Sequence, residues 1–253
     1  MIDLHSHILP DLDDGAPRLE EALAMARMAV ADGIRVLAAT PHSPASTASR
    51  KYSPALVRER ADQLIAALAA EDVPLEIVVG TEITFVADVV EQLRRGELLT
   101  YGGGRAILLE PPFSGLPHGF DTVIFALQLA GYRVVLAHPE RLPDVQEDPD
   151  LLIPLIERGV LIQITAQALT GGQGDYLRSV AETLLLHRMV HVLASDAHGV
   201  PPRRPPVLTE ARERAAELLG AEAAAALVEE TPRALLEGRR VAVSPPRPVR
   251  RRR

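Results

Sequence analysis

The chain contains no cysteine and no asparagine, and only 3% of its residues are aromatic. Without cysteine there can be no disulfide, no thiolate metal site and no cysteine nucleophile. With so few rings, the core must be built mainly from Ala, Leu, Val and Ile. No apolar run approaches the roughly 18 residues that a bilayer-spanning helix needs. The start has no basic segment followed by an apolar one, and His5 falls where a cleaved leader would have to be. A cytoplasmic location without a transmembrane segment is therefore expected. The lack of Asn and Cys beside many Pro and Arg residues suggests heat tolerance, although genome base composition produces the same bias. A formal net charge of -7, with His neutral, argues against a whole-surface nucleic-acid binder.

What is present is a repeated alternation of strand and helix. The 253 residues fit one large domain, and an α/β barrel needs roughly 250. Strands are expected at the start and over 34–39 (IRVLAA), 75–80 (LEIVVG), 105–109 (RAILL), 132–137 (YRVVLA), 160–164 (VLIQI) and 191–194. Helical spacing covers 17–32, 54–70, 88–95, 120–130, 151–158, 175–187, 207–219, 222–230 and 232–238. Seven strands, mostly followed by helices, make a parallel sheet, one strand short of the eight-stranded barrel. The glycines 102–104 lack the strand-to-helix context of a phosphate loop, and His187 and His191 read as a helix-end and a structural residue. Residues 1–243 read as one domain, and 244–253 as a Pro/Arg-rich, extended and mobile tail.

The polar residues gather at the strand ends. His5 and His7, His42, Glu82, Glu110, His138, and Asp196 with His198 all stand at or just past the C-terminal end of an expected strand. In a closed parallel barrel those ends converge on one mouth. An open doubly wound sheet would place its site between only a few strands. The spread of these residues along the chain favours the barrel.

Imidazoles mixed with carboxylates, without thiolate, suit Mn, Zn or Fe. His5, His7, Asp14, His42, Glu82, Glu110, His138, Asp196 and His198 are more donors than one ion can use, and two or three ions would use them. Four neighbouring carboxylates would repel one another unless divalent cations sat among them. Any one of these residues alone could be a cap or a turn residue, as Asp14 before Gly15 illustrates. The set as a whole argues for a metal centre.

The blocks IDLHSHILPDLDDGA (2–16), TPHS (40–43), GTEI (80–83), LLEPP (108–112), AHPER (137–141), QITAQALTG (163–171), ASDAHG (194–199) and RRPP (203–206) span nearly the whole chain. They resemble those of the PHP (polymerase and histidinol phosphatase) superfamily, and more closely its bacterial protein-tyrosine phosphatases of capsule and exopolysaccharide operons. The closer likeness rests on PDLDDGA, AHPER and Glu110. The resemblance implies a distorted seven-stranded α/β barrel and Mn2+ as the usual metal, with Fe, Zn, Mg or Co as alternatives. It implies one ion on His5, His7, Glu82 and Asp196, a second on Glu82, Glu110 and His138, and a third on Asp14, His42 and His198.

The expected reaction is hydrolysis of phosphotyrosine in proteins by a metal-bridging hydroxide. The implied partner is a bacterial tyrosine kinase of polysaccharide biosynthesis. Arg141, three residues past His138, is placed to clamp a phosphoryl group. The resemblance supports that role and adds a second arginine: spacing from Asp196 favours Arg203, and the following prolines favour Arg204. Asp14 is a candidate general acid, and His118, in the loop after the fourth strand, a candidate substrate contact. A histidinol-phosphatase-like small-molecule phosphatase is the main rival, followed by a metal-dependent nuclease and a non-catalytic regulatory module. The basic tail, Arg250 to Arg253 above all, could draw the protein to an acidic kinase tail or the inner membrane surface.

Overall fold

The computed structural model describes residues 1–249. Eight parallel strands form two sheets: β1 (Ile2–Asp3), β2 (Val36–Ala39) and β3 (Glu76–Val79) in one, and β4 (Glu82–Thr84), β5 (Ala106–Glu110), β6 (Arg133–Ala137), β7 (Leu161–Thr165) and β8 (Val192–Ala194) in the other. Two isolated parallel bridges, Ser6 to Ala197 and His42 to Glu82, tie both edges of the five-stranded sheet to the segments that follow β1 and β2. Both bridges lie just past strand ends, where the polar residues gather.

Eight strands stand where seven were expected, because a short further strand, β4, follows the third expected strand just past Gly80–Thr81. A Cβ on Gly80 would lie 3.2 Å from the Tyr101 ring and 3.4 Å from the Thr40 methyl. The buried Tyr101 in turn donates its hydroxyl to Leu4 O at 2.8 Å. The chain passes that ring, leaves β2, and re-enters the second sheet beside β5.

Helices pack outside the sheets: α1 (Leu19–Ala31), α2 (Pro54–Ala70), α3 (Val89–Arg94), α4 (Phe120–Leu129), α5 (Pro143–Glu147), α6 (Ile153–Glu157), α7 (Ala166–Thr170), α8 (Asp175–Leu186), α9 (Thr209–Leu219), α10 (Ala221–Val228) and α11 (Glu230–Leu236). α2 shows the local logic, with Pro54 at its first turn and the Ser53 hydroxyl accepting from Leu56 N at 3.1 Å. The short α5 and α7 were not expected. Strand side chains alternate between two cores: Ala106, Leu108, Val135 and Ala137 face a small inner cluster, whereas Ile107, Leu109, Val134 and Leu136 meet the helices. The inner cluster is aliphatic apart from Tyr101.

Through residue 249 the tail has no regular secondary structure and makes contacts with the body of the protein. Arg247 N donates to His187 O (2.8 Å), His187 Nδ1 approaches Arg247 O (3.0 Å), and Val249 N donates to Asp150 Oδ1 (2.8 Å). Val243 and Val249 pack against the core. Prolines removed some backbone donors, and of the remaining ones those of Arg247 and Val249 find acceptors on the body of the protein. Arg250 to Arg253 lie outside the described residues.

Candidate metal centre

The routes by which side chains reach the mouth differ from strand to strand. On β2, β5 and β7 the inward period simply continues, from Ala38 to Thr40 and His42, from Leu108 to Glu110, and from Leu161 to Gln163 and Thr165. β1 breaks that period. Ile2 and Leu4 belong to the inner core, so strict alternation would turn His5 and His7 outward. The strand ends at Asp3 instead, whose Oδ1 accepts from His5 N (3.2 Å) and Ser195 N (3.0 Å), and the chain rotates there. His138 (φ 33°) and Asp196 (φ 51°) both adopt the left-handed region, which is uncommon for residues other than glycine. For His138 this turn brings Nε2 to 2.8 Å from Glu82 Oε1. Such local strain clusters at functional sites. The Asp13–Asp14 loop folds back on His7, and only glycine fits the approach, since a Cβ on Gly15 would lie 2.0 Å from His7 O.

All nine expected ligands are brought to one mouth, and eight of them are buried or nearly so, Asp14 being the half-exposed one. Their donor atoms form overlapping groups: His5, His7 and Asp196; His5, Glu82 and His138; His42, Glu82 and Glu110; and His7, Asp14, His42 and His198. Glu110 lies between two histidines, 3.9 Å from His42 Nδ1 and 3.9 Å from His138 Nε2.

Hydrogen bonding behind the ring decides which lone pairs face it. His5 Nδ1 is 3.0 Å from Gln163 Oε1, and His7 Nδ1 is 2.7 Å from Asp13 Oδ2. Both partners are acceptors, so each Nδ1 carries the proton and each Nε2 presents a lone pair. Those two Nε2 atoms stand 3.3 Å apart. Glu82 oxygens lie 3.2 and 3.3 Å from them, and Asp196 Oδ1 lies 3.4 and 3.5 Å from them. His42 Nδ1 and Glu82 Oε2 approach to 2.9 Å, close enough to share a proton or a cation. Asp14 Oδ1 lies 3.3 Å from His198 Nε2. Buried carboxylate and imidazole atoms packed this closely are costly unless protons or cations lie among them. The donor set therefore fits divalent cations.

The protein's own charges respond in the same sense. Burial opposes the charges on Glu82 and Asp196, yet neighbouring histidines hold both carboxyls well below their usual range, with Arg204 assisting at Asp196. Burial, followed by the charge of Glu82, pushes Glu110 up to about 7. Burial disfavours a charged His7, but Asp13 outweighs it and raises the imidazole well above its ordinary value. A proton on Nε2 of His7 is the one a cation would displace, so metal affinity should rise with pH.

The cavity in front of this ring has a volume of about 550 Å³. Its rim includes Ala45 to Ala48, Pro111 to Phe113, Arg141, Arg203 and Arg204. Arg141 Nη1 lies 3.4 Å and Arg204 Nη2 2.8 Å from Asp196 Oδ2, so both guanidinium heads meet at one oxygen. Arg203 is engaged elsewhere: its guanidinium donates to Gly15 O at 2.9 Å and to Asp14 O. His118 is exposed on its loop and does not line the cavity. Sequence reasoning missed the orienting residues Asp13 and Gln163, and Glu140, whose Oε1 accepts from Thr165 N (2.8 Å) and Oγ1 (2.6 Å) beside Arg141. For Gln163 a signal existed, since it is the one polar residue inside the VLIQI strand.

Fold and cavity together define an α/β protein with a His- and carboxylate-lined metal-binding mouth at its strand ends. The pattern of the family described as "Capsular polysaccharide synthesis, CpsB/CapC" matches residues 1–237, and the chain belongs to that family. It is 40% identical over 252 residues to the tyrosine-protein phosphatase YwqE of Bacillus subtilis (strain 168), covering 100% of this chain and 98% of that one. The tyrosine-protein phosphatase CpsB of Streptococcus pneumoniae is 29% identical, over 93% of this chain and 98% of its own length. A solved structure from work on YwqE and CpsB, described as unique metal-dependent tyrosine phosphatases, superposes with a TM-score of 0.94 at 39% identity, covering 99% of this chain and 100% of that one. The phosphotriesterase homology protein of Escherichia coli, at 14% identity and a TM-score of 0.60 over 91% of this chain and 96% of that one, shares the fold.

Proposed function

We propose that this protein is a metal-dependent protein-tyrosine phosphatase that hydrolyses phosphotyrosine monoesters. The observation that carries the reading is the convergence of the donor atoms of His5, His7, Glu82 and Asp196, nitrogen to oxygen within 3.5 Å, with two guanidinium heads beside them. The family and its tyrosine phosphatase relatives support it. The two sheets, bridged at both edges of the five-stranded one, are read as one distorted barrel over residues 1–243 that gathers the ligands, with the tail beyond it. Two or three ions, Mn2+ foremost, are held by the nine residues His5, His7, Asp14, His42, Glu82, Glu110, His138, Asp196 and His198.

Divalent ions bound there supply Lewis acidity, which acidifies water and neutralises a phosphate dianion. The chain's residues do the rest. Asp13 and Gln163 hold His7 and His5 in the ligating tautomer. Arg141, with Arg203 or Arg204 beside it at the cavity, takes the phosphoryl oxygens in this reading. Arg203, on the carbonyls of Asp14 and Gly15, steadies the loop that presents Asp14, and Arg204, on Asp196 O, Asp196 Oδ2 and His198 Nδ1, steadies Asp196 and His198. Asp14, half exposed at the rim, serves as a ligand in this reading: burial raises its carboxyl, but His198 beside it outweighs that and keeps it ionised, so it is not the proton donor to the leaving phenolate.

The deciding experiment compares phosphate release by the Mn-loaded protein from phosphotyrosine peptides, histidinol phosphate and a short single-stranded oligonucleotide. Preference for the peptide is the expected result. Preference for either alternative overturns the assignment.

A further inference from the structure

Phe113, like Phe125 and Tyr176, is an exposed aromatic residue, and of the three it is the one at the cavity. Aromatic residues are few, yet this one leaves half its surface, 50%, open to solvent at the rim of the cavity. It follows Pro111 and Pro112 directly after the ligand Glu110, so the backbone entering it is stiff. Beyond it the loop is anchored. Leu116 N donates to Asp144 Oδ2 at 3.0 Å, and a Cβ on Gly115 (φ 118°) would lie 2.2 Å from that oxygen. The loop is built to hold the ring in place.

The ring also touches the reacting centre. It lies nearly parallel to the His138 imidazole, at 9° with centroids 5.9 Å apart. Cζ of Arg141 stands 4.7 Å from its centroid, within cation–π range. The other rim residues near the entrance, Ala45 to Ala48, carry small side chains, and no other phenyl or phenol ring lines the cavity among the described residues. A bare phosphate would need none of this apolar surface. An aromatic ester whose phosphoryl group sits under Arg141 would bring its own ring to the level of Phe113.

Resting on the phosphatase reading above, we propose that Phe113 is the specificity-determining residue that receives the aryl ring of the substrate, while the same ring holds Arg141 over the phosphoryl group. Aromatic pairing is worth roughly 0.5–1.5 kcal/mol beyond area burial, which corresponds to roughly two- to tenfold in affinity.

The test uses the full-length, Mn-loaded protein as wild type, Phe113→Ala and Phe113→Tyr. Calorimetric affinities for phenylphosphonate and methylphosphonate are measured, together with KM for an aryl and an alkyl phosphate ester. The wild type should favour the aryl ligand in both measurements. Phe113→Ala should shrink the aryl-to-alkyl ratio by roughly two- to tenfold, and Phe113→Tyr should restore it. An unchanged ratio in Phe113→Ala overturns the inference, even if both ligands weaken together, because loss of Arg141 positioning alone would affect both equally. A wild type that binds phenylphosphonate preferentially yet hydrolyses no phosphotyrosine removes the proposed function and leaves the aryl subsite standing.

Discussion

Replacing Asp13 by Asn tests the claim that the residues behind the ligands set their chemistry. The Asp13 carboxylate accepts three hydrogen bonds: from His7 Nδ1 (2.7 Å) and His42 N (3.0 Å) at Oδ2, and from Gly15 N (2.9 Å) at Oδ1. An amide has one accepting end. With its oxygen toward His7 and His42, its NH2 opposes Gly15 N and leaves one buried donor unpaired, at about 1–3 kcal/mol. The reverse orientation opposes two donors and drives His7 to the other tautomer, placing a proton on the Nε2 that faces His5. The first orientation is therefore favoured, and the ligating tautomer survives. What is lost is the carboxylate that raises the basicity of His7, a change worth about 10–100-fold in metal affinity or activity. Two measurements follow. Chelator-treated Asp13→Asn should melt roughly 2–10 °C below the wild type, taking about 2–4 °C per kcal/mol for a chain of this size. Calorimetric titration should show Mn2+ affinity reduced about 10–100-fold at the tightest site. Equal melting temperature and equal Mn2+ affinity would refute the orienting role.

Glu82, whose two oxygens reach His5, His7, His42 and His138, should be the most sensitive ligand, so Glu82→Gln should lower metal content and turnover together. Full metal content with normal turnover would remove it from the centre. Arg141→Lys keeps the charge but not the fork, so kcat/KM should fall at unchanged metal content, and unimpaired kcat/KM would reject the clamp. His191 is buried with Nδ1 accepting from Ile162 N at 3.0 Å, and burial pushes its imidazole down to about 4. Unfolded histidine titrates near 6.5, so the unfolded chain takes the proton first, and stability present above about pH 6.5 is lost as pH falls toward 4. The loss amounts to roughly 3 kcal/mol at 1.36 kcal/mol per unit. His191→Asn, whose side-chain oxygen can accept the same N–H, should flatten the stability profile between pH 4 and 6.5. Parallel profiles for the two proteins would reject this.

The sequence alone determined which candidate ligands stand at the strand ends. Ligand types at strand ends are local features: a short apolar run sets the strand, and the first polar residues beyond it stand at its C-terminal edge whatever the rest of the chain does. Hence His5, His7, His42, Glu82, Glu110, His138, Asp196 and His198 were legible, and the parallel α/β class with them. Tertiary structure decided everything that depends on direction or on a distant partner. Alternation from Ile2 and Leu4 would have turned His5 outward, and only the Asp3 contact with Ser195 shows why it does not. The break between β3 and β4 at Gly80 lies beside the ring of Tyr101, which reaches it from a later segment of the chain. Asp13 and Gln163 acquire meaning only when histidines near one end of the chain meet them in space. Arg203 and Arg204 are adjacent and chemically identical, so what each holds, backbone carbonyls for one and Asp196 for the other, depends on where the loop turns. Side-chain type is written along the chain, whereas orientation comes from packing between parts of it that the sequence keeps far apart.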